Sequence, residues 1–151
     1  MRRLLMGAML TAASHVAIVR AADEASSLDS ESVKSGQAIY GQYCASCHGA
    51  NAQGAPDWQE RDERGELPAP PHNAEGHTWR HSDAMLSEMV SKGRRDPFNK
   101  TKRLTMLAFG DVLSAEQIRA VITYLKTLWT PEQRGFQVEE SRNQPFPHQM
   151  Q

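Results

Sequence analysis

Cys44-Ala45-Ser46-Cys47-His48 brings together the residues of this chain best suited to chemistry. Two thiols three positions apart, on one helical turn, lie on the same side. They can form two thioethers to one edge of a porphyrin, and the next residue, an imidazole, then sits under its metal. Cys-x-x-Cys-His is the signature of c-type haem attachment. The chain has only these two cysteines, so both are committed here. Cys44 and Cys47 are the expected covalent anchors of one haem c, and His48 is the expected axial ligand of its iron. The rest of the chain has to supply export, a pocket, a second ligand and a route for electrons.

The first residues have the pattern of a secretory signal. Arg2-Arg3 gives a positive start, Leu4 to Val19 is mostly apolar, and Val19-Arg20-Ala21 precedes a cleavage point after Ala21 or Ala22. Residues 1–21 are therefore assigned as a signal peptide and 22–31, small and acidic, as a flexible leader. An uncleaved anchor is the alternative, and membrane contact is expected only in that case. Export also suits the chemistry, because thioether formation protects both thiols in an oxidising compartment. The expected location is periplasmic or otherwise exported, and soluble.

The charge is nearly balanced, with 17 Lys+Arg and 18 Asp+Glu. Loss of Arg2, Arg3 and Arg20 with the signal leaves 14 against 18, a net of −4. That balance argues against a nucleic-acid partner. The mature length suits one small domain.

Periodicity predicts a helix from about Ser32 to Cys44, with Val33, Ile39, Tyr40 and Tyr43 on its buried side. Gly36 and Tyr40 share a face one turn apart. Glycine costs about 1 kcal/mol inside a helix, and close approach of a second helix would justify it. Ser82 caps a helix of about Asp83 to Ser91 that ends at Gly93, with Met85, Leu86, Met89 and Val90 as its core face. Ser114 and Gln117 form a capping box for the last long helix. There Ile118, Val121, Ile122, Leu125 and Leu128 recur at helical spacing, Tyr124 faces Gly36 and Tyr40, and Trp129-Thr130-Pro131 ends the run. Thr130 and Gln133 cap a further short helix to about Glu140, and Ser141 to Gln151 is expected to be loose. The expected domain is 32–130, with 131–151 as an extension.

Gly36-x-x-x-Tyr40-x-x-x-Cys44-x-x-Cys47-His48-Gly49 resembles the opening of a class I cytochrome c. The resemblance runs from about Val33 to Trp129 and implies an all-α fold of three to five helices around one covalently bound haem. It implies that Met106, in Met106-Leu107-Ala108-Phe109, is the distal iron ligand, matching the family's Met-Pro-x-Phe. Leu107 stands where that proline is usual. It implies that Pro70 or Pro71 offers a backbone carbonyl to the axial histidine, and that Trp79 donates to a haem propionate, with Arg80 and His77 as weaker candidates.

The segment Gly49 to Asn73 is a loop rich in Gly and Pro, and Glu60 to Arg64 is a charge cluster expected to be solvated. Lys92, Arg94, Arg95, Lys100, Lys102 and Arg103 make a basic stretch, expected to be a solvated loop or a docking patch near the haem edge. An apolar wall of Leu104, Leu107, Phe109, Ile118 and Val121 is expected around the iron.

The expected function is one-electron transfer with protein redox partners that dock transiently. The chain is read as a carrier rather than an enzyme. Three alternatives stand beside it: a haem subunit of a larger oxidoreductase complex, a ligand-binding or catalytic haem protein with His72, His77 or His81 as other ligands, and a non-haem copper, zinc or redox-disulfide protein. A core this small is marginal without its cofactor. The Cys44→Ala/Cys47→Ala chain lacking haem is therefore expected to lose most of its helical signal in far-ultraviolet circular dichroism.

Overall fold

The structure is a computed structural model that describes residues 28–101 and 103–147. The expected signal segment and most of the leader lie outside the described residues. The described part contains five α-helices: α1 Ser30–Tyr43, α2 Ala45–His48, α3 Asp83–Lys92, α4 Ala115–Lys126 and α5 Pro131–Arg142, with a 3-10 turn at Thr78–Arg80. Among these residues the only extended pairing is an isolated antiparallel bridge between Arg94 and Met106. No described helix is long and apolar enough to cross a membrane. The fold is all-α, as expected.

Helix α1 starts two residues earlier than its periodicity suggests. Asp29 is the N-cap, and its Oδ2 accepts from Ser32 N at 2.8 Å. The cap satisfies one of the orphan N–H groups that begin any helix, so Ser30 and Glu31 belong to α1 and not to the leader. The buried positions of α1 are Gly36 and Tyr40.

Those two residues meet α4 in the main helix–helix interface. A Cβ on Gly36 would lie on the backbone carbonyl of Ala120. One turn on, Tyr40 packs against Tyr124 with ring centroids 5.4 Å apart. Helix α4 has its full capping box: Ser114 Oγ accepts from Gln117 N, and Gln117 Oε1 accepts from Ser114 N. Ile118, Val121, Ile122 and Leu125 are buried on its inner face.

The helix ends at Lys126, short of Trp129. Thr127 Oγ1 donates to the Tyr124 carbonyl at 2.6 Å, and Leu128 N turns back to Leu125 O. Trp129 then folds inward, where it is buried and donates through Nε1 to the His72 carbonyl at 2.9 Å.

Two further expectations are corrected. Met85 is exposed, and only Leu86 of the α3 stripe is fully buried; Met85 lies on the outer edge of that stripe. The chain from Ser141 is not loose as far as Pro147. Ser141 is buried inside α5, Gln144 O accepts from Ala84 N, and Phe146 packs on the core. A buried polar set makes this attachment: Gln137 Nε2 donates to Asp83 Oδ1 at 2.7 Å and Ser141 Oγ at 2.8 Å, and Lys126 Nζ pairs with Asp83 at 2.7 Å. Helix α5 thereby lies against the 3-10 turn and α3.

Gly36→Ala tests the crossing. Its Cβ meets backbone, which cannot turn aside as a side chain can. Overpacking of that kind costs about 1–3 kcal/mol and outweighs the ~1 kcal/mol gain in helix propensity. A lower urea midpoint at unchanged slope is the expected result.

Candidate haem site

Helix α1 delivers the attachment motif directly. Cys44 is its C-cap, with its N–H on the Tyr40 carbonyl, and α2 continues from Ala45 to His48. His48 N donates to Cys44 O at 3.0 Å. This turn places Cys44, Cys47 and His48 together on the lining of one cavity of about 840 Å³. No disulfide joins the two cysteines. Before haem is attached, burial, then Cys47, pushes the Cys44 thiol up to about 11. Tyr40 reaches past the motif, its hydroxyl donating to the Gly49 carbonyl at 2.9 Å.

His48 is buried, and its Nδ1 lies 2.9 Å from the Pro70 carbonyl. A carbonyl only accepts, so Nδ1 carries the proton and Nε2 keeps its lone pair. Burial holds the imidazole below its ordinary pKa, against the Pro70 bond that raises it. The side chain is thus kept neutral, in the tautomer that binds a metal. Of the two prolines left open by the sequence, Pro70 makes this contact. The Pro71 carbonyl accepts instead from Thr78 Oγ1 at 3.4 Å. Gly54 allows the approach. Its φ is +76°, and a Cβ there would lie 2.6 Å from Pro71 N and 2.8 Å from Pro70 C.

Met106 lines the same cavity, from the loop between α3 and α4. Tyr40, Tyr43, Leu86, Val90, Phe109, Val121, Ile122 and Leu125 supply much of its wall. The expected apolar wall is therefore only partly right. Phe109 and Val121 belong to it. Ile118 is buried in the helix core, Leu104 is 40% exposed and off the lining, and Leu107 is 68% exposed at its edge. These two leucines flank Met106 on a loop whose backbone, not its apolar side chains, is held down.

Trp79 is a clear correction. Its Nε1 donates to the Gly76 carbonyl at 3.0 Å, its ring stands edge-on to Phe136 of α5, and Arg80 lies over it. It is absent from the cavity lining, because α5 offers its ring an apolar neighbour and a local carbonyl takes its N–H. His77, His81 and Trp58 line the cavity in this region, with Trp58 stacked on His77. Trp58, from the loop after the motif, carried no sequence signal beyond its type.

Nothing excludes a porphyrin. The cavity volume is in the upper part of the usual cofactor range of about 300–1,000 Å³, the walls are largely apolar, and both anchors and an oriented imidazole open onto it. Among the described residues no three His, Cys, Asp or Glu side chains form a metal cluster, which counts against the copper or zinc alternative.

His72 stacks on His48, with centroids 4.0 Å apart, and its Nδ1 is 2.7 Å from Thr78 Oγ1. Burial, then the neighbouring His48 and His77, lowers its pKa from 6.5 to about 3. The unfolded chain therefore takes up this proton first as pH falls. The contribution of neutral His72 is complete above about 6.5 and is lost progressively as pH falls towards 3, at up to about 1.4 kcal/mol per unit. His72→Leu is expected to flatten that limb of the stability curve, measured by urea unfolding in steps of pH. A limb parallel to the parent's would contradict it.

No curated protein and no solved structure matches the chain. The family model described as Cytochrome c matches residues 33–129. That span starts within α1, carries the Cys44–His48 motif and ends at Trp129, and its described regular elements are helices joined by long loops, with one isolated bridge between Arg94 and Met106. The chain belongs to the cytochrome c family, a family of haem-based electron carriers, and its covalently bound cofactor is haem c.

Proposed function

We propose that the protein is an exported one-electron carrier whose iron is held by His48 and Met106. The observation that carries this reading is the bond from His48 Nδ1 to the Pro70 carbonyl, which leaves Nε2 available in a cavity that Met106 also lines. Haem c supplies reversible one-electron exchange at its iron. The chain's residues do the rest. Cys44 and Cys47 would fix one edge of the cofactor, and His48, oriented by Pro70, and the thioether of Met106 would hold its iron. A soft sulfur ligand and an apolar wall both favour the reduced state and raise the potential.

Cys47 is exposed, so the edge it anchors is at the surface, where a partner can approach. Arg94 and Arg95 lie on the lining and are themselves exposed. They suit brief docking with an acidic redox protein, and such encounters have small interfaces. Export rests on the signal-like run from Arg2 to Ala22. The periplasm is the compartment that this reading favours.

Met106→Ala tests the ligand set. The ferric parent is expected to show the weak long-wavelength band of methionine–iron coordination, and its reduced form to resist carbon monoxide. The variant is expected to lose the band, bind carbon monoxide rapidly and have a lower potential. A reduced parent that binds carbon monoxide as fast as the variant would overturn the assignment of Met106.

A further inference from the structure

Leu107 occupies the position after Met106, where a proline would have stiffened the backbone. The loop is held by other means. Arg94 N donates to Met106 O, and Met106 N to Arg94 O, both at 3.0 Å. This bridge ties Met106 to the end of α3, and Thr105 is tied there too: its N–H and its Oγ1 donate to Arg94 O at 2.8 and 3.0 Å, and Asp96 N donates to Thr105 Oγ1 at 3.1 Å, closing the base of the turn between them. That turn is pinned to the opposite loop. Lys100 N donates to Arg64 O at 3.1 Å, and Arg61 Nη1 pairs with Asp96 Oδ2 at 2.8 Å.

The strongest tie is bidentate. Arg103 Nε meets Glu66 Oε1 at 3.0 Å, and Nη2 meets Oε2 at 2.6 Å. Paired geometry of this kind fixes orientation as well as distance. Glu66 is 8% exposed and lines the cavity, while the Arg103 side chain is 54% exposed. Glu66 is held from behind as well: its N–H donates to Asp62 Oδ1, and its carbonyl accepts from Asp62 N.

The two partners sit in telling places. Arg103 is three residues before Met106. Glu66 is four residues before Pro70, whose carbonyl orients His48. One ion pair therefore couples the loop behind one ligand to the loop behind the other. We propose that Glu66 and Arg103 are positioning residues that hold Met106 on the iron, in the role that a proline at 107 would otherwise fill. This rests on Met106 being the distal ligand.

The pair makes two contributions. It limits the excursions of the loop that carries Met106. It also neutralises a buried carboxylate that would otherwise face the cavity unpaired. Removing either partner takes away the bidentate tie and leaves the loop on its other bonds, and a hydrogen-bonded charge pair is large enough for the loss to be read as a rate.

The test is imidazole binding to the ferric holoprotein, which must displace Met106. Glu66→Gln and Arg103→Gln are expected to bind imidazole roughly tenfold faster than the parent, the change that loss of one charged hydrogen bond produces. The long-wavelength ferric band should weaken in both. Arg103→Lys, which keeps the charge but not the fork, should fall between. Lys92→Gln, which removes an exposed pair with Glu88, should match the parent.

Parent-like rates and band in a correctly folded Arg103→Gln protein would overturn the proposal. Arg103 is half exposed, so this variant can be read even where Glu66→Gln fails to fold. Met106→Ala separates the two failures. A Met106→Ala protein no faster than the parent sinks the ligand assignment itself. A fast Met106→Ala protein beside an unchanged Arg103→Gln sinks only the role of the ion pair.

Discussion

The contact of Gly36 with the Ala120 carbonyl is the constraint on which the rest of the structure depends. It lets α1 and α4 meet backbone to backbone, and Tyr40 extends the contact by packing at a tilt against Tyr124. Because Cys44 caps α1, the crossing also sets where the attachment turn lies. The far side of α4 gives Val121, Ile122 and Leu125 to the cavity wall. A single close approach thus places the anchors and builds the surface that faces them. A side chain at position 36 would push apart the two elements that define the site.

What was legible in the sequence follows from what is local. The attachment motif is five consecutive residues, and its geometry is that of one turn. The box at Ser114 and Gln117 and the apolar stripe of α4 are helix-period signals, and both appear as expected. Loops gave much less. Only the fold could choose Pro70 over Pro71, because the choice depends on how Gly54 lets the two segments approach. Trp79 was misplaced for the same reason. Its donor has a local partner at Gly76 and its ring a distant one at Phe136, and neither is visible in spacing. The tie between Glu66 and Arg103 spans 37 positions, and Glu66 stands just outside the Glu60 to Arg64 cluster, so nothing in the sequence hinted that it pairs with the basic stretch.

The helix after Thr130 was expected, but its attachment and the order beyond Ser141 were not legible in composition. Pro131 to Arg142 is polar, and a polar helix is normally a weak candidate for packing. Here the polarity is the packing. Gln137 is among the most completely buried side chains, and its amide serves Asp83 and Ser141 together. A buried polar group is tolerable only when its hydrogen bonds are made, and among the described residues no buried side-chain N or O atom lacks a partner. Helix α5 is therefore attached through satisfied polar contacts, with Phe136 and Phe146 adding apolar area at the edges.

Charge around the cavity follows one rule. The two buried carboxylates, Glu66 and Asp83, each carry a cation, Arg103 and Lys126. His48, His72 and His81 are all lowered by burial, and so are kept neutral. The Glu66 charge on the cavity lining is thereby compensated, and Asp83 with Lys126 forms a second buried pair away from the lining. In a low-dielectric interior an unpaired charge would act strongly on any redox centre beside it. The pairing of Glu66 with Arg103 removes one such charge from the lining. Arg94 and Arg95 carry their positive charge at the rim, where the lining meets solvent.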